Sequence, residues 1–510
     1  MQLAEVVATS TAVAATRARS AKVRLLAELL RRVPPDEVPV VVGFLIGDPR
    51  QGRIGIGWSV LQTTQDVAPA AAPALSVADV DVALDAIQGT TGAGSAAGRR
   101  SVVGDLFARA TGDEADFLRR LLVGEVRQGA LGGLMADAIA AAAEVPPATV
   151  RRAAMLAGDL CAVAAIALDG GEPALAAVGL EVLRPVLPML AATSADVEEA
   201  VAAVGQASVE WKLDGARIQA HRHGDDVRLF TRSLNDVTSR LPAIVEVMRR
   251  LPVSSVILDG EVFGGAFDSD GADPFQETMS RFSRHEPIDE AGLSVRFFDI
   301  LYVDGTDLID RPLEERITAL ERVVPAPCRV PGIITVDPAD ANAFAEDALA
   351  RGHEGVMVKA LASTYEAGRR GRAWRKVKPV RTLDLVVLAA EWGHGRRRGW
   401  LSNLHLGARD AEGQGFVMVG KTFKGLTDEV LTWQTERLLE LEAGRDGIVV
   451  HVRPELVVEV ALDGVQRSPR YPGGVALRFA RVRRYRPDKS PAEADTIDAV
   501  RALSSAESRW

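Results

Sequence analysis

Lys212-Leu213-Asp214-Gly215, preceded by Val209-Glu210-Trp211 and followed by Ala216-Arg217, puts a lysine where it can act as a nucleophile. An amine attacks phosphorus only when neutral, and a lysine set among other cations and partly removed from water has its charged form disfavoured. The chemistry within its reach is a nucleotide carried covalently on nitrogen. Val209 and Trp211 alternate with Glu210 and Lys212, so a short strand is expected to end at Lys212. Asp214-Gly215 then reads as a tight turn, where glycine tolerates positive φ. Four such residues alone read more readily as a surface hairpin.

Further elements follow in an order that suits phosphoryl chemistry. Val256-Ile257-Leu258-Asp259-Gly260-Glu261-Val262-Phe263 is a buried strand that carries an acid into a turn. Val295-Arg296-Phe297-Phe298-Asp299-Ile300 is a second apolar strand with aromatics able to stack on a base, and alternation lets only one of Phe297 and Phe298 face a site. Gly352-His353-Glu354-Gly355-Val356-Met357-Val358-Lys359 sets an acid between glycines ahead of a strand. In Trp374-Arg375-Lys376-Val377-Lys378 the two lysines point to one face. The acids can hold a divalent ion or ribose hydroxyls, and the cations offset charge growing on phosphate oxygens.

This ordered set resembles the ATP-dependent DNA ligases of the covalent nucleotidyltransferase superfamily, closest to the bacterial, actinobacterial type with an N-terminal helical DNA-binding domain. The resemblance runs over most of the chain. It implies that Lys212 takes the adenylate and that Glu210, Arg217, Arg232, Glu261, Phe298, Arg372 and Lys378 line the ATP site. Phe298 is chosen over Phe297 because the family aromatic directly precedes the aspartate. Arg232 comes from Thr231-Arg232-Ser233-Leu234-Asn235, where the family usually has Ser-Arg-Asn. The terminal family motif stands as Arg486-Pro487-Asp488-Lys489, after Leu477-Arg478-Phe479-Ala480-Arg481, with Ala480 where proline is common. It implies that Arg486 and Lys489 orient the leaving pyrophosphate. Lys376 would stabilise phosphate charge beside Lys378, and Glu261 and Glu354 would hold Mg2+ (or Mn2+). Asp214 is expected to fix the turn rather than titrate in the reaction.

Three domains are expected in 510 residues: a helical DNA-binding domain over 1–184, an α+β adenylation (nucleotidyltransferase) domain over 185–380, and a C-terminal OB-fold β-barrel over 381–510. Before Arg184-Pro185 the chain is alanine-rich, and Phe117, Leu118, Leu121, Leu122 and Val126 recur at helical spacing, with Arg119 and Arg120 opposite. The stretch Phe117–Ala130 looks like the helical domain of larger DNA ligases, which grips duplex backbone without reading sequence. Two loops, 68–75 and 89–100, read as flexible linkage. Past Lys378-Pro379, strand-like runs at 385–388, 415–421 and 455–460 surround an amphipathic helix over 428–441 capped by Thr427 or Asp428.

A net charge of -9 argues at face value against a polyanion partner. Its distribution reverses that: residues 363–399 hold ten Lys or Arg against three acids, and residues 478–489 hold six against one. Both runs coincide with the motifs, which favours a phosphate channel. The expected partner is nicked double-stranded DNA, met by a monomer. Cys161 and Cys328 are the two cysteines, too few and too far apart for a disulfide framework or zinc site, and they suit a reducing cytoplasm. No apolar tract is long enough for a membrane span, so a cytoplasmic, nucleoid-associated enzyme is expected.

Gly415-Phe416-Val417-Met418-Val419-Gly420-Lys421-Thr422 matches the phosphate-loop pattern in letters. That loop must be open and must start a helix at its Lys-Thr, whereas Phe-Val-Met-Val prefers a strand. His221-x-His223 is expected on a solvated strand face rather than at a metal. The neighbouring activities are an RNA ligase, a capping enzyme taking GTP, or an NAD-dependent ligase, whose four-cysteine zinc module is missing here. A non-catalytic DNA-binding module is the reading from another class.

Overall fold

A computed structural model describes residues 1–510 apart from 53–55, 57, 63, 65, 66, 93, 125, 127–131, 265–292, 367–369, 379, 380, 411–414 and 507–510. Helices make up the part from Leu3 to Ala176, and Leu3 and Leu175 belong to one apolar core. The helix Gly112–Leu122 shows why they form. The Thr111 hydroxyl accepts from the Glu114 amide while Glu114 accepts from the Thr111 N–H at 2.8 Å, which satisfies two donors at the exposed helix start. Acids fill its first turn, Arg119 and Arg120 its last, and Phe117, Leu118 and Leu121 turn inward. Gly124, at φ 70°, ends it, so Val126 lies outside the helix that its spacing suggested. Residues 125 and 127–130 of that stretch are outside the described residues. The expected linkage at 89–100 is only partly a loop: the helix Ser95–Arg109 starts within it, and Arg99 donates to the Thr90 carbonyl at 2.9 Å.

Two sheets follow. The first has the order β1 (Leu190–Thr193), β10 (Arg370–Val377), β9 (Val356–Ala360), β2 (Ala207–Trp211), β8 (Gly332–Thr335), antiparallel except for β1 against β10. The second, antiparallel throughout, runs β4 (Asp226–Thr231), β3 (Ala216–His223), β5 (Ser255–Gly264), β6 (Leu293–Val303), β7 (Thr306–Asp307). The turn Lys212–Gly215 links β2 of one sheet to β3 of the other. A Cβ on Gly215 would collide with the Val262 carbonyl, so only glycine lets that turn lie against β5. Contrary to the solvated face expected for His221, the ring is fully buried, accepts the Leu183 N–H at 3.0 Å and meets Gln219 at 2.9 Å, and burial lowers its pKa to about 3. The chain before β1 crosses that face of β3 and covers it.

The C-terminal part is built on the long strand β11 (Arg381–Trp392). β12 (Leu401–Arg409) and then β13 (Phe416–Thr422) lie on one side of it. On the other, β11 pairs with β15 (Val449–Val452) near its end and with β16 (Val457–Leu462) near its start, and β15 pairs with β14 (Glu442–Asp446). β16 also pairs with β19 (Arg481–Tyr485), and β17 (Gly464–Arg467) with β18 (Val475–Arg478) makes a separate ribbon. Among the described residues no pairing closes this sheet on itself. Thr427 caps the helix Asp428–Glu440 by accepting the Val430 N–H. The phosphate-loop lookalike is β13 in a hairpin, with Lys421 bonded to Glu391 at 2.5 Å and no helix starting at Thr422. No described helix is long and apolar enough to cross a membrane.

Candidate active site

The two central sheets, with residues of the C-terminal part, line an open cavity of about 780 Å³. Glu210 and Lys212 reach it from the end of β2, Arg217 from the start of β3, Arg232 from just after β4, Glu261 from β5 and Phe298 from β6. Glu354 enters just before β9, and Lys376 and Lys378 come from β10 and the residue after it. Strand parity explains the choice between the aromatics, since Phe297 is fully buried in core while Phe298 lines the cavity. Glu354 is placed by backbone: its N–H donates to the Lys212 carbonyl at 3.1 Å, and the Lys212 N–H donates to the Gly355 carbonyl at 2.9 Å. Gly355 sits at φ 136°, and a Cβ there would strike the Val377 carbonyl.

Three expected residues lie elsewhere. Arg372 shares the parity of Trp374 and Lys376 but is exposed nearer the start of β10 and does not line the cavity. Arg486 and Lys489 face into the C-terminal part. Both bond Asp384, at 2.9 Å and 2.6 Å, and Arg486 also holds Asp488. A different C-terminal set reaches the cavity instead: Asp463, Arg478 and Phe479. Asp463 accepts from Lys378 at 2.7 Å, and Arg478 donates to Asp214 at 3.4 Å. Asp214 therefore meets a cation of the C-terminal part besides shaping its turn.

The charge environment of Lys212 corrects the expectation drawn from sequence. Its closest partner is not a cation but Glu354, to which Nζ donates, with Glu261 and Asp214 also near. Burial lowers the lysine pKa, yet the acids outweigh it and the net direction is upward, so the ligand-free amine is held protonated. Burial pushes the Glu261 carboxyl up to about 7 against the pull of Lys212 and Arg217. Lys378, 3.7 Å from Glu354, competes with Lys212 for the same carboxylate.

Arg217 is fixed rather than mobile. It donates to Asp259 through Nε at 2.9 Å and Nη2 at 2.5 Å, and to the Met189 carbonyl at 2.7 Å. Tyr365 donates to the same aspartate at 2.8 Å, and the guanidinium lies 5.4 Å from the Phe298 ring centre. Asp259, Tyr365, Lys359 and Trp374 support the site but were not picked out as functional from sequence. Lys359 carried a signal, a lysine in an apolar strand; Tyr365 carried none, because its partners are distant in the chain.

Among the described residues no group of three His, Cys, Asp or Glu is placed to hold a metal. Glu261 and Glu354 nevertheless offer hard oxygen donors on one cavity, and Mg2+ is commonly bound through one or two carboxylates together with substrate phosphates.

Residues 188–378 match the family described as ATP dependent DNA ligase domain, 397–489 the ATP dependent DNA ligase C terminal region, and 59–140 the DNA ligase N terminus. A protein named Probable DNA ligase from Rhodococcus jostii is 58% identical over 504 residues, 99% of each chain. Another of that name from Anaeromyxobacter sp. is 57% identical over 512 residues, 99% of this chain and 98% of its own. A solved structure described as Pmar-Lig_Pre. superposes with a TM-score of 0.66 over 94% of this chain and 99% of its own, and at 16% identity that likeness is one of fold.

Proposed function

The chain belongs to the ATP-dependent DNA ligases, enzymes that form phosphodiester bonds, and on that premise we propose that Lys212 carries the adenylate and that the substrate is a nick in duplex DNA. One observation carries the assignment: a lysine, the acid 142 residues later that bonds it, and the lysines at 376 and 378 all face one cavity large enough for a nucleotide.

Lys212 Nζ, once deprotonated, attacks the α-phosphorus of ATP, a P–N bond forms and pyrophosphate leaves. Entry of the triphosphate draws Lys376 and Lys378 toward phosphate oxygens, and the Lys212 proton passes to water in the open cavity once Glu354 and Glu261 turn from the amine to the divalent ion. The AMP then passes to the 5′-phosphate at the nick, with cleavage of the P–N bond. The adjacent 3′-hydroxyl finally attacks that phosphorus, sealing the strand and releasing AMP. Glu261 and Glu354 would hold Mg2+ or Mn2+, which supplies charge neutralisation at the phosphates. Arg232 and Arg217 border the nucleotide, and Phe298 offers a ring to the base. Arg486 and Lys489 would orient pyrophosphate only after release from Asp384, with the C-terminal part turned from the arrangement described. Arg372, on β10 and outside the C-terminal part, would reach the nucleotide only by a shift of its own side chain and strand start.

We also assign 1–184 to DNA binding, 185–380 to adenylation and 381–510 to an OB-fold β-barrel. Separate apolar cores on either side of the two-sheet region and the two-sided pairing of β11 support that division. The acting unit in this reading is a monomer. A DNA substrate supports association with the nucleoid in the cytoplasm. Incubation with labelled ATP, GTP and NAD should label the protein from ATP alone, and nicked DNA should be sealed in preference to nicked RNA. Labelling from GTP alone would indicate capping chemistry; preferential sealing of RNA would make it an RNA ligase.

A further inference from the structure

Glu210 and Lys359 form a buried ion pair at the wall of the nucleotide cavity, 2.5 Å apart, with 9% and 1% of their side chains exposed. Both line the cavity, and β2 and β9 hold them on paired strands. Ser208 donates to the other oxygen of Glu210 at 3.0 Å. Across β8, Gly332 stands opposite, where even a Cβ would come within 3.1 Å of Glu210 Cγ. The carboxylate is therefore fixed on three sides. Lys359 is fixed as well: its ammonium donates to the Phe298 carbonyl at 3.2 Å and lies 4.7 Å and 4.5 Å from the ring centres of Phe298 and Trp374.

An ionised carboxylate only accepts hydrogen bonds, whereas a protonated one also donates. The edge of adenine presents an amino donor where guanine presents a carbonyl acceptor, so an acceptor-only group beside the base ring takes adenine and repels guanine. Burial pushes the Glu210 carboxyl up, toward the protonated form, and Lys359 opposes that. The charge of Asp299 also favours protonation of Glu210, though Arg316 is bonded to that aspartate. Ser208 is uncharged, and Gly332 brings no side chain.

We propose that Lys359 is the positioning residue that makes the site adenine-specific: it holds Glu210 as an obligate acceptor and fixes the Phe298 ring that meets the base, with Trp374 packed edge-on against that ring. The inference rests on the nucleotide occupying this cavity.

The test is covalent labelling with α-labelled ATP and GTP across neutral and alkaline pH. The wild type should prefer ATP at every pH. Lys359→Met, close in size but uncharged, should lose at least about tenfold of the ATP-over-GTP preference near neutrality and regain part of it as Glu210 ionises at higher pH. Lys359→Arg, which keeps the cation, should retain most of the preference. A Lys359→Met protein with the wild-type ratio and pH profile overturns the proposal, as does a Lys359→Arg protein that loses as much as Lys359→Met. Should Lys359→Met fail to fold, Glu210→Gln gives the second reading. Its amide can turn a donor to the base, so the preference should fall without regaining anything at high pH, and an unchanged ratio there refutes the proposal. A wild type that takes no label from ATP would instead refute the nucleotide site itself.

Discussion

Arg316 and Asp299 are both fully buried and joined by two bonds, Nε to Oδ1 at 2.8 Å and Nη2 to Oδ2 at 3.1 Å. Arg316 Nη1 also donates to the carbonyls of Arg311 at 2.6 Å and Ser363 at 3.0 Å. Asp299 directly follows Phe298, and Ser363 lies two residues before Tyr365, so this pair ties together two walls of the site. Arg316→Met leaves a carboxylate with no counter-ion away from water, which costs about 3–5 kcal/mol where such pairs have been broken. In a unit of some 150–250 residues that is about 6–20 °C of melting temperature, read by scanning calorimetry. Asp299→Asn combined with Arg316→Met removes both charges and should recover more than half of the loss. A single variant that melts within about 2 °C of wild type, or a double variant as unstable as the single, would refute the reasoning.

The Glu261 carboxyl, raised to about 7, favours the folded state only while protonated, so stability should decline as pH rises from the ordinary glutamate range through 7. Glu261→Gln should remove that decline, gaining about 1–3 kcal/mol over wild type above pH ~7 after allowance for solvent in the open cavity; parallel denaturation curves at both pH extremes would contradict this. Asp463→Asn breaks the contact to Lys378, and small-angle scattering should then show a wider spread of distances between the C-terminal part and the sheets. Unchanged scattering would mean that the ion pair does not hold that arrangement. Gly355→Ala, with its Cβ forced against the Val377 carbonyl, should cut adenylation at least about tenfold by displacing Glu354, more than it lowers the melting temperature would explain.

Local chemistry was legible in the chain. The lysine turn, the acid between two glycines, the alternation that lets only one of Phe297 and Phe298 face the site and a cap at Thr427 or Asp428 all depend on neighbours within a few residues. What depended on distant segments was not. The same parity that placed His221 and His223 together could not show that residues 183–186 would cover one of them. Cations near Lys212 in the motif order suggested a lowered pKa, but the group that folds closest is Glu354. Arg486 and Lys489 were recognisable as a motif, yet Asp384, which holds them, stands over a hundred positions earlier, and nothing in either segment announces the pairing.

Peptide mapping by mass spectrometry after incubation with ATP tests the central claim most directly. The adduct should be one AMP, on the peptide containing Lys212, stable to base and labile to acid as a phosphoramidate, and Lys212→Ala should carry none. AMP found on another residue, or retained by Lys212→Ala, would contradict the account.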